Sequence, residues 1–284
     1  MSSDEPSARK IISDMKGLDT SGVEVDDEQV APSIATGSSE ETAELAKMEA
    51  LLQAAGDAGA IAADRETKLL CLRGRKYDPE RAAGLVPKFL ALKQSVGYNE
   101  PAGEQLVSDI NSHKVMNTGA KDGDGRAVIW IRLRYHDPKV SKAEDMGRLI
   151  VNVMLNALKD PETQRLGVTL IQDMTGIKLK NLDPAAAKNM MGNIFPNLPI
   201  RVGRICIYNP PWILGNIVLP IVLTLMSKKL RGRIAVIKDA TPAKIQQFVP
   251  VASIPVELEG TYAVDEAKWS EGLVATLPKA VSVS

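Results

Sequence analysis

Apolar residues along this chain change their spacing twice, and each change marks a boundary. Up to residue 42 no spacing is sustained: Ser, Asp and Glu dominate, with scattered Gly and Pro, and residues 1–42 are expected to form a disordered acidic head. From Ala43 to Ala63 the residues Ala, Leu and Glu favour helix, interrupted at Gly56 and Gly59. Arg65 to Arg75 reads as a second, short helix. Asp78-Pro79 then supplies an N-cap with proline at the first helical position, launching a helix to about Val96 that Gly97 ends. Residues 43–100 therefore predict a helical N-lobe.

Beyond Pro101 strands and helices alternate, over a lobe spanning 101–284 with a C-terminal extension. Val128 to Leu133 alternates like a strand, and Ser141 to Leu158 carries one apolar stripe through Met146, Leu149, Ile150, Val153, Met154, Ala157 and Leu158. Val168 to Ile171 is a near-continuous apolar strand. Asp183-Pro184 caps a helix to about Phe195, Arg204 to Tyr208 is a strand, Trp212 to Leu230 an apolar helix, and Arg233 to Ile237 a last strand. That rhythm predicts an α/β fold with a largely parallel sheet covered by helices. No internal repeat shows at a regular period.

Charge alters the picture more than composition does. The chain has 284 residues, 44% hydrophobic and 25% charged, with a formal net charge of zero. Residues 1–42 hold ten acids against three bases, so the head carries −7 and the remainder +7. The 55 residues between Asp183 and Asp239 contain no acid but hold Lys188, Arg201, Arg204, Lys228, Lys229, Arg231, Arg233 and Lys238 around the apolar run Trp212–Met226. An apolar helix bracketed by cations suits a surface that meets anionic lipid and opens a route to an apolar ligand. Aromatics make up only 4% of the chain, too few to stack nucleic-acid bases, so no nucleic-acid partner is expected. The apolar run is too short to span a bilayer and is interrupted by Asn216 and Pro220, and the first thirty residues lack a signal-peptide core. A cytoplasmic protein with peripheral membrane contact is the expectation. Cys71 and Cys206 sit among apolar neighbours and read as small buried hydrophobes.

Catalytic motifs are wanting. There is no Gly-x-Ser-x-Gly elbow, no phosphate-binding loop and no Gly-x-Gly-x-x-Gly. His113 and His136 belong to no metal-spaced cluster, and His136 in Tyr-His-Asp-Pro reads as a turn residue at a strand end. Asp122-Gly-Asp-Gly125 echoes a calcium loop without its later acids and reads as a turn. Asp173 ends a strand where catalytic acids often stand, but no nucleophile or base accompanies it. Neither enzyme activity, metal nor cofactor is expected.

Five segments, in order, carry a resemblance to a known family over roughly residues 65–270. They are Leu69-Leu-Cys-Leu-Arg-Gly-Arg-Lys-Tyr-Asp78, Gly125-Arg-Ala-Val-Ile-Trp-Ile, and Gly167-Val-Thr-Leu-Ile-Gln-Asp-Met-Thr-Gly176 preceded by Glu162-Thr-Gln-Arg165. Phe195-Pro through Ile207-Tyr-Asn-Pro-Pro211, and Ile254-Pro-Val-Glu-Leu-Glu-Gly-Thr261 with Trp269, complete the series. Together they resemble the CRAL-TRIO (Sec14-like) lipid-binding domains, with a pattern similar to tocopherol-transfer-like and retinaldehyde-binding-like members. The resemblance implies a helical N-lobe and an α/β lobe whose sheet floors an apolar pocket under a mobile gate helix, here Trp212 to Leu230. It also implies binding and transfer of a hydrophobic ligand.

What the resemblance implies for the site is residue-specific. Pocket-lining positions correspond to Ile150, Val151, Met154, Val168, Met190, Ile194, Leu198 and Ile200. Ile150 and Met154 stand where the tocopherol-like pattern has serines, which implies a drier cavity. An acid and a threonine used by phosphatidylinositol-binding members correspond to Ile200 and Leu230, which tells against buried inositol recognition of that type. Basic positions that hold phosphoinositide phosphates correspond to Arg75, Arg201, Lys229 and Arg233, with a merely solvated basic face as the alternative. Two departures stand out: members carry a proline a turn later than Pro220, and Glu259 replaces a glycine. The expected function is transfer of a hydrophobic ligand between phosphoinositide-containing membranes; the alternative is a lipid-sensing adaptor that exchanges nothing.

Overall fold

The computed structural model describes residues 5–24, 34–238 and 242–279. Five strands make one sheet in the order β1-β2-β3-β4-β5. β1 (Val115–Lys121) runs antiparallel to β2 (Ala127–Arg132), and β3 (Val168–Asp173), β4 (Val202–Tyr208) and β5 (Ile234–Ile237) continue parallel to β2. The mostly parallel α/β sheet is as expected; the antiparallel edge strand β1 is an addition.

Ahead of the sheet come α1 (Glu5–Asp14), α2 (Ser39–Ala55), α3 (Ala58–Ala62), α4 (Arg65–Gly74), α5 (Pro79–Ser95) and α6 (Glu104–Asn111). Asp57, Asp64 and Asp78 each accept an amide hydrogen bond at the start of α3, α4 and α5, which fixes the three N-termini of the N-lobe. Gly56 and Gly97, both with positive φ, end α2 and follow α5.

The head is not the disordered segment expected over residues 5–24. Ile11, Met15 and Leu18 recur at helical spacing, and Met15, Leu18 and Val23 are buried in the main core with Ile11 packed against it. Helix α2 also begins at Ser39, inside the span assigned to the head: Ser38 accepts from the Glu41 amide, and the Glu41 carboxylate accepts from Gly37. Glu41 is buried against Arg73 and Tyr77. Residues 1–4 and 25–33 of the head lie outside the described residues.

Strand order fixes where the helices go. Sheet neighbours are also sequence neighbours, so every parallel crossover steps the same way, and right-handed crossovers then place all connecting helices on one face. These are α7 (Ala143–Ala157) with α8 (Pro161–Leu166), then α9 (Pro184–Asn189) leading through a π turn at Met190–Ile194 into α10 (Phe195–Asn197), and finally residues 212–231. The opposite face would be bare without a second cover. The C-terminal segment supplies it, from α13 (Pro242–Ile245) to α14 (Glu266–Ala275), laying Ile245, Val249, Ile254 and Leu258 against Val128, Trp130, Ile171, Cys206 and Tyr208. In that cover Glu259 takes a left-handed conformation, φ 58°, and a Cβ on Gly260 would overlap the Ile254 carbonyl.

Candidate functional site

Residues Trp212 to Leu230 do not form the single gate helix expected. Helix runs from Trp212 through a π turn (Leu214–Val218) into α11 (Leu219–Thr224), breaks at 225–227, and resumes as α12 (Lys228–Arg231). The π turn has a local cause. Pro220 has no N–H to give and its ring crowds the carbonyl four residues back; the Leu219 amide reaches instead to Leu214 O, widening the turn. The helix after β3 repeats the device, with the Phe195 amide bonded to Met190 O just before Pro196. At the break, Ser227 accepts from the Leu230 amide and its own amide donates to Thr20 Oγ1 at 2.6 Å.

Beneath 212–226 lie two adjoining apolar cavities. The larger, about 140 Å3, is floored by Leu133, Gln172 and Met174, roofed by Leu214, Val218, Leu219 and Val222, and closed by Ile11 and Met15 of the N-terminal segment. The smaller, about 80 Å3, lies between Ile131, Leu170, Ile205 and Ile207 of the sheet, Met146 and Ile150 of α7, Met190, Met191 and Phe195, and Met226. Leu133 and Gln172 border both.

Of the eight expected pocket residues, Ile150 and Met190 line the smaller cavity. Val151, Met154, Val168, Ile194, Leu198 and Ile200 are buried in the same core without bordering either cavity. Correspondence by position says which way a side chain faces, not whether the space in front of it is empty. Alternation along β3 from Val168 would have reached Leu170 and Gln172; the contributions of Ile11, Met15 and Met226 carry no such signal.

The four expected basic residues gather where β4 and β5 begin, at two depths. Arg201 immediately precedes β4 and is 1% exposed; Arg75 is 6% exposed and donates to Pro196 O at 3.0 Å in the approach to β4. Gly74 allows this approach, because a Cβ there would come within 2.6 Å of Pro199 O. Lys229 is exposed on α12 and Arg233 is half-buried just ahead of β5. Glu24 lies against this end of the sheet: its carboxylate is 3.8 Å from Arg75 and pairs with Arg81, and its carbonyl accepts from the Val202 amide. Burial pulls the Arg75 pKa below its ordinary value, with Glu24 opposing.

The remaining polar candidates are built into the scaffold. Asp173 is buried, pairs with Arg134 and accepts from the Thr175 amide. Asp122 accepts from the amides of Asp124 and Arg126 and from Thr169 Oγ1 at 2.6 Å, which makes its loop a turn. His136 is buried 3.4 Å from Asp183, the residue that caps α9. Burial pushes the thiols of Cys71 and Cys206 up to about 12, so both are unreactive at neutral pH.

Residues 111–260 match the CRAL/TRIO domain. The chain belongs to the CRAL/TRIO family. It aligns with human tyrosine-protein phosphatase non-receptor type 9 at 26% identity over 201 residues, 70% of this chain and 33% of that protein. Phosphatidylinositol transfer protein CSR1 of Eremothecium gossypii is 25% identical over 204 residues, 66% of this chain and 45% of that one. Human alpha-tocopherol transfer protein-like is 24% identical over 211 residues, 72% of this chain and 61% of that one. The chain thus spans about a third of the first relative's length and under two thirds of each of the others. CRAL/TRIO proteins are in general lipid-binding and lipid-transfer proteins. The likeness to the phosphatase runs through the CRAL/TRIO region.

Proposed function

We propose that this chain takes a hydrophobic guest into the space between its sheet and residues 212–226 and carries it between membranes. The observation that supports this best is the pair of adjoining cavities beneath a helix loosened by a π turn and broken at 225–227. Each cavity is well below the roughly 300–1,000 Å3 of ordinary small-molecule sites. The guest is therefore admitted by outward movement of 212–226 together with withdrawal of Ile11 and Met15. Flexible methionines give the space its room to reshape: six of the chain's ten line the two cavities. At about 25 cal/mol per Å2, burying a few hundred Å2 of apolar guest yields several kcal/mol without a hydrogen bond.

Docking follows from the outer surface of the same segment. Trp212 is 72% and Ile221 40% exposed, and Lys228, Lys229 and Arg231 are exposed beyond them. Such a surface seats an aromatic and an aliphatic side chain at the lipid interface and its cations against anionic headgroups. Among the described residues no helix is long and apolar enough to cross a membrane. In this reading Arg75, Arg201, Lys229 and Arg233 contact phosphoinositide phosphates, and a phosphate takes the place that Glu24 holds beside Arg75.

The test is transfer of a fluorescent acyl lipid from donor to acceptor vesicles, with and without phosphoinositide in the acceptors. Wild type should transfer faster to phosphoinositide vesicles, and Lys229→Glu with Arg233→Glu should abolish that advantage. An undiminished advantage in the double variant rejects the docking surface. Stable vesicle binding with no exchange at all would instead mark a lipid-sensing adaptor.

A further inference from the structure

Gln172 is the polar side chain that the sheet contributes to the walls of the two cavities, among the described residues. It stands on β3, the middle strand of the five, in register with Ile131 of β2 and Ile207 of β4, and its neighbours along the strand on that face are Leu170 and Met174. It borders both cavities. Its carboxamide brings two N–H donors and a carbonyl acceptor to this wall, and it has no hydrogen-bond partner among the described residues. The other charged or amide side chain on the walls, Asp183, is committed: one oxygen accepts from the Ala186 amide at 2.9 Å and the other lies 3.4 Å from His136 Nε2.

An amide facing an apolar space is destabilising unless something meets it, either water or a guest. An apolar guest that fills the cavities expels the water and must then supply the group itself. Among the described residues no cation lines either cavity, and the charged side chain on their walls is the Asp183 carboxylate, so an anionic guest would be desolvated without compensation. We propose that Gln172 recognises a neutral hydrogen-bonding group on the guest. The guest is then a long apolar molecule bearing an uncharged hydroxyl or carbonyl, not a bare hydrocarbon and not a fatty-acid anion. This inference rests on the carrier reading and narrows its ligand class.

Three matched probes separate the possibilities: oleyl alcohol, cis-9-octadecene and oleate, offered together in phosphoinositide-containing vesicles to the full chain. Captured probes are quantified after the protein is re-isolated, each relative to its content in the vesicles. Wild type should enrich the alcohol over the hydrocarbon by about tenfold, the worth of one satisfied buried hydrogen bond, and should not enrich oleate. Gln172→Met, which keeps the length and removes the amide, should bring alcohol and hydrocarbon to parity with hydrocarbon capture retained. Gln172→Leu, of another shape but equally without an amide, should do the same. Equal capture of alcohol and hydrocarbon by wild type, enrichment of oleate, or an unchanged preference in both variants overturns the role of Gln172 while leaving the guest site standing. Capture of no probe by wild type overturns the carrier reading and this inference with it.

Discussion

On one side of the sheet Trp130, Ile171, Cys206 and Tyr208 meet Ile245, Val249, Ile254 and Leu258; on the other, Leu133, Leu170, Gln172 and Ile207 face two cavities. The strands are common to both sides, so the difference lies in the covers. The C-terminal cover is fixed by short backbone hydrogen bonds, such as Tyr262 N to Ile254 O at 3.0 Å, and neither cavity borders it. The opposite cover consists of helices widened ahead of Pro196 and Pro220, with Leu214, Val218, Leu219 and Val222 over the larger cavity and Met146, Met190, Met191 and Met226 around the smaller. An irregular helix with methionines beneath it leaves space that can be reshaped, whereas the C-terminal cover closes its face of the sheet.

Substitutions on the two sides should therefore behave differently. Trp130→Ala, on the solid side, should cost about 3–5 kcal/mol of unfolding free energy in a denaturant titration. A loss under about 1 kcal/mol would mean that this side is not packed as described. Ala120→Leu on the same side should overpack it and cost about 1–3 kcal/mol. Ala187→Leu, bordering the larger cavity, should leave the stability of the empty protein unchanged or higher while reducing guest capture. Equal destabilisation by both alanine substitutions would erase the contrast between the sides.

The solid cover contains one strained point. Glu259 holds φ 58°, a conformation that costs a residue with a Cβ about 1 kcal/mol relative to glycine, so Glu259→Gly should raise stability by about that amount. An unchanged denaturation midpoint would show the strain to be relieved elsewhere.

The finest effect belongs to the hollow side and depends on pH. Burial first, and then Lys114, hold the His136 pKa below its ordinary 6.5, against the opposing pull of Asp183 and Asp109. The folded chain therefore binds fewer protons than the unfolded one. The stability tied to His136 is complete above about pH 6.5 and is lost as pH falls toward the folded pKa. His136→Gln should flatten that part of the stability profile; an identical slope in the variant would remove His136 as its source.

Much of the scaffold was legible because it repeats. Alternation and apolar runs gave strands β2 to β5, the 3.6 period gave α7 nearly to its ends, and Asp-Pro pairs marked the starts of α5 and α9, although α9 ends at Asn189 and a π turn takes over before Phe195. β1 was missed because Met116-Asn-Thr-Gly-Ala120 interleaves small and polar residues, and its partner was needed to make it a strand. Ile254 to Thr261 stood out as a family segment, but its role as a cover was missed because Pro250 and Pro255 interrupt any sustained period through Ile245, Val249, Ile254 and Leu258. The N-terminal segment was misjudged on composition, although Ile11, Met15 and Leu18 carried a helical spacing. Pro220 was recognised as displaced, but its consequence, a π turn followed by a break at 225–227, depends on where neighbouring carbonyls find donors. For the site, family correspondence put seven of the eight residues in the core and Met190 at its edge, yet only Ile150 and Met190 on either of the two cavities, since empty space belongs to no single residue.

The most direct measurement of whether the region under 212–226 receives a guest is native mass spectrometry of the full chain after incubation with mixed-lipid vesicles, beside Ala187→Trp. The wild-type chain should carry one added neutral lipid mass per molecule, and the variant, its larger cavity filled, should stay bare. A wild-type chain that stays bare, or a variant that loads as fully as wild type, would contradict the account.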